Sequence, residues 1–416
     1  MLNFLLSLEF TINRESNLTE KIEAAKKLIE KYIKHLPLYY SNNFSEIYKG
    51  DIYFKLENLQ RTGSFKIRGA LSSILNNTDK CKAGVVAASA GNHAQGVAFG
   101  SSLFDIKATI VMPKQTPLVK VQNTKGYGAE VVLYGNSYDE AYLYALKLSE
   151  EKGYYFIHPF NDIDVIAGQG TIALEVLVEN PDIDQIVVPI GGGGLIAGIS
   201  SYVKAFNPKI KVIGVQSENA AGMYYSFLRK SLVTLSSSST IAEGIAVKKV
   251  GDITYNICKQ NVDQIVTVSE NEIAFAILQY IEKSKLVVEG AGAVPLAAVL
   301  ANKIDVSGKT TVLVVSGGNI DVNLISRVIN KGLVTTGRFA QISIILKDIP
   351  GSLSSVTDII AKCGANILDI KHYRFDLNLP VNYTKVVFDI ETKGREHIEE
   401  TLQKLLKEGY EAMVNG

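Results

Sequence analysis

The chain of 416 residues lacks the marks of a metal or disulfide framework. Its three cysteines, Cys81, Cys258 and Cys363, lie far apart, and no pair has metal or redox spacing. Thiols so placed fit reduced, buried side chains in a cytoplasmic protein. The five histidines, His35, His93, His158, His372 and His397, are equally scattered. None stands one helical turn from another, so no metal is expected. An excess of one charge is missing too: the formal net charge is +1. That gives no field to attract nucleic acid or an anionic membrane, and no basic run has interleaved aromatics. Long apolar runs are absent as well. The opening MLNFLLSLEF is too short to span a bilayer and has neither a basic flank before it nor a small-residue cleavage site after it. It is expected to pack on the body of the protein or against another subunit.

What is present is a regular alternation. Residues 18–35 read as an amphipathic helix with Ile22, Ala25, Leu28 and Ile29 on one face. Short Val/Ile-rich runs follow at 83–89, 108–113, 129–135, 185–190, 211–217 and 310–318, separated by helix-like stretches such as 137–152, 168–180, 193–206 and 271–284. This pattern predicts an α/β fold with parallel sheets buried on both faces. In such sheets ligands bind beyond the carboxyl ends of the strands. After TTGRF (335–339) the order becomes β-α-β-β-α-β with alternating strand polarity, the ferredoxin-like arrangement. The expected division is a region 1–335 followed by a smaller module 338–416.

Four glycine- or serine-rich turns stand at expected strand or helix ends. GSFKIRGA (63–70) sets Lys66 at a helix start, where partial desolvation and the helix dipole lower an amine's pKa and suit it to Schiff-base chemistry. A snorkelling surface lysine is the bland alternative. SAGNHAQG (89–96) opens another helix with small residues, a site for an anion such as a carboxylate, and Asn92 adds an amide. A plain N-capped turn explains the Ser and Gly but not Asn92 and His93. GGGGLIAG (191–198) lets backbone N–H groups wrap a phosphate. Its G-x-G-x-x-A spacing invites a dinucleotide, but the next strand ends in Gln216 rather than an acid, which favours a phosphate monoester. SGGN (316–319) offers one hydroxyl, Ser316. An amine, a single-phosphate cradle, an amide, an anion turn and a hydroxyl are the set that pyridoxal 5'-phosphate needs.

The stretches ENLQRTGSFKIRGA, SAGNHAQGVA, HPFNDIDVIAGQGTIALE, GGGGLIAG, GVQSEN, TIAEGIAV, VVEGAGAV and SGGN, in that order, resemble threonine dehydratases (threonine ammonia-lyases) of the fold-type II pyridoxal-phosphate enzymes. KDIPGSLSSV (347–356) resembles an ACT domain, the amino-acid-sensing module of metabolic enzymes. The resemblance implies two open α/β domains with the cofactor in the cleft, the smaller one, roughly 67–165, inserted in the larger. It assigns Lys66 to the cofactor aldehyde, Phe65 to the cofactor's side and Asn92 to its ring oxygen. Gly191, Gly192, Gly193, Gly194 and Leu195 would take the phosphate, and Ser316 the ring nitrogen. Ser89, Ala90, Gly91, Asn92 and His93 would hold the substrate carboxylate. Glu289 has an expected structural or ring-edge role. Serine racemases of the eukaryotic type bind a divalent cation with acids after the GVQ strand; Gln216 and Gly222 stand there in this chain.

The implied reaction is α,β-elimination. Lys66, displaced by the substrate amine, removes the α-proton. Either Ser89 or the cofactor phosphate protonates the leaving hydroxyl. Threonine would give 2-oxobutanoate and ammonia, and serine pyruvate. One methyl group separates these substrates, worth only about 1–3 kcal/mol in a hydrophobic pocket, so both should react. The ACT-like tail implies an amino-acid effector near Pro350 and Gly351 and a homodimer or homotetramer, with a module that only assembles subunits as the alternative; isoleucine as effector, opposed by valine, would suit a place in isoleucine biosynthesis. A serine/threonine racemase, a serine dehydratase and a non-catalytic amino-acid sensor remain as alternatives.

Overall fold

The computed structural model describes residues 18–374 and 379–415; the opening MLNFLLSLEF lies outside them. The chain forms two compact units that meet in sequence between Ile320 and Asp321.

The first unit holds two sheets. One has six strands in the order β1-β2-β10-β7-β8-β9: β1 (Leu38–Tyr40), β2 (Asp51–Leu56), β10 (Thr310–Val315), β7 (Gln185–Pro189), β8 (Lys211–Ser217) and β9 (Gln264–Val268). Only β1 is antiparallel to its neighbour. The other is a fully parallel sheet in the order β5-β4-β3-β6: β5 (Glu130–Leu133), β4 (Ala108–Met112), β3 (Val85–Ala88) and β6 (Tyr155–Phe156). Its chemistry follows the two-residue period of a strand. Val85 and Ala87 of β3 join one apolar cluster with Ile110 and Met112, while Val86 and Ala88 join a second with Val111. Both faces are covered, so the strand reads as an unbroken apolar run.

The first helix, residues 18–29, ends before the expected residue 35, and its face differs from expectation. Leu18, Ile22, Ala25 and Ile29 are buried, but Leu28 is 37% exposed because it lies off that stripe. Strands β1, β2, β6 and β9 form from stretches too short or too mixed to stand out in the sequence. The helix expected at 168–180 begins earlier, at Ile163, where Asp162 caps it by accepting from Val165 N. The thiols of Cys81 and Cys258 are buried, but Cys363 is only half-buried.

The helix Lys66–Asn76 packs against the helix Ile163–Glu179 at close range. A Cβ on Gly168 would stand 2.5 Å from the carbonyl oxygen of Arg68, so only glycine allows the crossing. The crossing also buries charge. Arg68 donates through Nε and Nη2 to Glu57, each at 2.8 Å, and through Nη1 and Nη2 to Glu175 at 2.9 and 2.8 Å. Lys55 and Lys26 reach Glu175 at 2.9 and 2.8 Å. Burial alone would raise the Glu175 pKa, but Arg68 outweighs it and holds the carboxyl well below the usual carboxylate range.

The second unit begins with the helix Val322–Thr335, at whose far end the expected boundary lies. Its sheet is antiparallel in the order β12-β13-β11-β14, from β11 (Phe339–Lys347), β12 (Asn366–Tyr373), β13 (Tyr383–Glu391) and β14 (Ala412–Asn415). Helices Ser352–Lys362 and Arg395–Lys407 complete the ferredoxin-like order. Here one face is covered: Ala340, Ile342, Ile344 and Leu346 enter the core, whereas Ile345 is 46% exposed.

Candidate active site

Lys66 is the first residue of its helix because the preceding turn is stitched to the end of β10. Phe65 N donates to the Ser316 carbonyl at 3.0 Å, Gly318 N donates to the Gly63 carbonyl at 2.9 Å, and Ser64 pairs with Gly317. The amine is half-buried and donates to the carbonyl of Pro159 at 2.7 Å. Burial lowers its pKa to about 8, with Glu289 opposing the shift. The Phe65 ring lies beside it, 5.3 Å from Nζ to the ring centre.

The second turn follows β3. Ser89 Oγ accepts from Gly91 N at 3.2 Å, and Gly91 precedes the helix Asn92–Ser102. A Cβ on Gly91 would meet nothing within 4 Å, so the turn faces open space. Asn92 is held from the side: Nδ2 donates to Glu289 Oε1 at 2.8 Å, and Oδ1 accepts from Asn319 Nδ2 at 2.8 Å. Burial raises the Glu289 pKa to about 7, against the bond from Asn92. His93 turns inward, with Nε2 on the Ile157 carbonyl at 2.9 Å and Nδ1 buried without a partner. Burial and the nearby Lys66 amine lower its pKa to about 3.

The third turn joins β7 to the helix Gly194–Phe206. Gly193 has φ of 97°, a left-handed conformation that glycine adopts at no steric cost. A Cβ on Gly192 would stand 2.3 Å from the Phe160 ring, and one on Gly193 2.7 Å from Thr254 Oγ1. Thr254 Oγ1 donates to the Gly192 carbonyl at 2.6 Å. The loop is therefore clamped from behind, while the first N–H groups of its helix are left for a ligand.

In the fourth turn Ser316 is buried at the end of β10. Ser64 Oγ nearby in the stitched turn is buried and unpartnered. Where acidic cation ligands would be aligned, Gln216 is buried and held by three hydrogen bonds. Its Nε2 donates to the Ile190 and Ala220 carbonyls at 3.2 and 3.1 Å, and its Oε1 accepts from Tyr224 N at 2.8 Å. Among the described residues no group of three or more His, Cys, Asp or Glu is arranged to hold a metal.

Sequence reasoning singled out the four turns but not what lies behind them. Pro159, Phe160 and Thr254 carry the turns' contacts from segments far along the chain, and Asn319 of the fourth turn reaches back to Asn92 of the second. Pro159, Phe160 and Asn319 lie in stretches that carry the resemblance, but nothing local shows which turn each one touches. Lys120, on the smaller sheet's side, pairs with Glu243, 123 positions away. In the second unit Gly351, with φ of 92°, precedes the helix Ser352–Lys362, and Pro350 and Gly351 are both exposed.

The family described as "Pyridoxal-phosphate dependent enzyme" matches residues 29–317, and the ACT domain family matches 340–407. The chain is 50% identical to an L-threonine ammonia-lyase of Thermotoga maritima over 95% of its own length and 99% of that protein's. It is 49% identical to one of Geobacter sulfurreducens, over 94% and 97%. Among solved structures, the processed form of threonine deaminase isoform 2 from Solanum lycopersicum superposes with a TM-score of 0.73 at 36% identity, covering 76% of this chain and 88% of that one. Maize serine racemase gives 0.71 at 35%, covering 76% and 98%.

Proposed function

From the premise that this chain belongs to the pyridoxal-phosphate-dependent enzymes and carries an ACT domain, we propose that it is a threonine ammonia-lyase. It would convert L-threonine to 2-oxobutanoate and ammonia, and L-serine to pyruvate as a side activity. The single observation that carries this reading is a half-buried amine, lowered to about 8, among turns from four separate strand or helix ends.

The residues present fit pyridoxal 5'-phosphate. The glycine loop is closed from behind by Phe160 and Thr254, and Ser316 stands buried at the end of β10 beside the unpartnered Ser64 hydroxyl. Lys66 would hold the aldehyde and Gly191 to Leu195 the phosphate. Asn92 and Ser316 would meet the ring oxygen and nitrogen, with Phe65 alongside. When bound, the cofactor supplies an aldehyde that condenses with amines and a conjugated ring that accepts the electron pair of the α-carbon.

The chain's own groups then divide the work. Lys66, with a pKa lowered to about 8, can hold and release a proton at Nζ, and the Pro159 carbonyl keeps that amine in place when it is free. The open turn Ser89 to His93 presents backbone N–H groups to the substrate carboxylate. Ser89 Oγ is the side-chain candidate for protonating the departing hydroxyl. Ser316 is a hydroxyl rather than an acid and cannot place a full proton on the ring nitrogen. It therefore favours prompt loss of the β-hydroxyl over transamination.

The second unit supplies amino-acid regulation through its ACT fold, and we place the effector near Pro350 and Gly351. Exposed Leu368 and Ile370 on edge strand β12 support pairing of this module across subunits, as a homodimer or homotetramer. No helix among the described residues is long and apolar enough to cross a membrane. We place the enzyme in the cytoplasm, in isoleucine biosynthesis. Purified protein should release 2-oxo acid from threonine faster than from L-serine, and Lys66→Ala should abolish release. No keto acid from either substrate overturns the reading; racemised serine in excess of keto acid would make the protein a racemase. A full chain and one ending before Asp321 that respond equally to amino-acid effectors would remove the regulatory role.

A further inference from the structure

His158, Pro159, Phe160 and Asn161 follow β6 as an irregular turn before the helix Ile163–Glu179. On one side the turn takes the lysine: Lys66 Nζ donates to the Pro159 carbonyl at 2.7 Å. On the other it backs the glycine loop. The Phe160 ring lies 2.3 Å from where a Cβ on Gly192 would stand, and the Phe160 carbonyl 2.9 Å from the same point on Gly194. Neither helix nor sheet fixes this turn, so side chains must. His158 Nδ1 accepts from Phe160 N at 3.2 Å and Asn161 N at 2.8 Å. Asn161 Oδ1 accepts from Ile253 N at 3.1 Å, and its Nδ2 donates to Asp252 Oδ1 at 2.7 Å. An accepting Nδ1 must be bare, which puts the ring proton on Nε2. Burial and the charge of Lys66 lower the His158 pKa to about 4, so this neutral form prevails at pH 7.

We propose that His158 is a positioning residue that holds Lys66 and the phosphate loop in register by setting the shape of the 158–161 turn. It never touches substrate. Its Nδ1 fixes one carbonyl against the lysine and one aromatic ring against the loop. The inference rests on the reading that Lys66 and this loop together hold pyridoxal 5'-phosphate.

The test uses full-length holoenzymes carrying His158→Ala, His158→Asn and His158→Gln. Cofactor loss on dilution is followed by visible absorbance, and kcat and KM are measured with threonine. Asparagine can place an acceptor near the position of Nδ1; glutamine carries it one bond too far. His158→Ala and His158→Gln should lose cofactor about tenfold faster and show kcat about tenfold lower, with KM within about threefold, while His158→Asn stays within about threefold of wild type throughout. A purely structural role would lower the melting temperature of all three without separating asparagine from glutamine. Should the alanine variant fail to fold, the asparagine–glutamine contrast decides alone. Equal behaviour of those two, or wild-type cofactor retention in His158→Ala, overturns the proposal. If wild type releases no keto acid from threonine while the order of cofactor retention holds, the proposed reaction fails and the positioning role stands.

Discussion

Two of the four turns of the first unit use the missing side chain of glycine in opposite ways. At Gly192 the space a Cβ would need is already filled by the Phe160 ring, whereas at Gly91 it is empty out to 4 Å. The first glycine serves the protein behind it; the second leaves room in front. A glycine-rich motif can therefore mean tight packing or an open seat, and only the neighbours tell which.

Substitutions should separate the two. Gly192→Ala would force the Phe160 ring to move, costing about 1–3 kcal/mol of stability, as overpacking usually does. Thermal unfolding should show that loss, and absorbance should show reduced cofactor occupancy. Unchanged stability would mean the loop is not clamped. Gly91→Ala should leave stability within about 0.5 kcal/mol. Its methyl group would intrude on the carboxylate seat, raising KM for threonine by about tenfold, the value of one hydrogen bond to a charged group. A normal KM would place the carboxylate elsewhere.

The smallest effect concerns the side support of the open turn. Burial raises Glu289 to about 7 from an ordinary value near 4.5, so the folded state binds a proton more tightly than the unfolded chain. Its contribution to stability is complete below about pH 4.5 and is lost as pH rises through 7. The melting temperature of Glu289→Gln should fall less between pH 6 and pH 8 than that of wild type. Parallel curves would show that Glu289 does not titrate there.

The turns themselves were legible because each is a local composition of glycine, serine or asparagine at a strand end. The two-faced burial of β3, β8 and β10 was legible from continuous Val/Ile runs. Strand β6 has two residues and carries no periodicity, and β1 is an exposed edge of three. Leu28 was misplaced because a leucine beside Ile29 fits a helical stripe in sequence while pointing off it in space. The contacts behind the site were hidden for a different reason. Phe160 matters through Gly192 and Asn319 through Asn92, pairings made by tertiary folding alone.

The cluster of Arg68, Glu57, Glu175, Lys55 and Lys26 also has a consequence for how the molecule comes apart. Because Arg68 and both carboxylates are fully shielded, added salt cannot dissolve this knot as it would a surface pair. Losing one member would strand its partners without water. The helix that begins with Lys66 is thereby tied to its neighbour at the second residue after the amine. Its amide protons should exchange with deuterium at the pace of whole-unit unfolding rather than by local fraying.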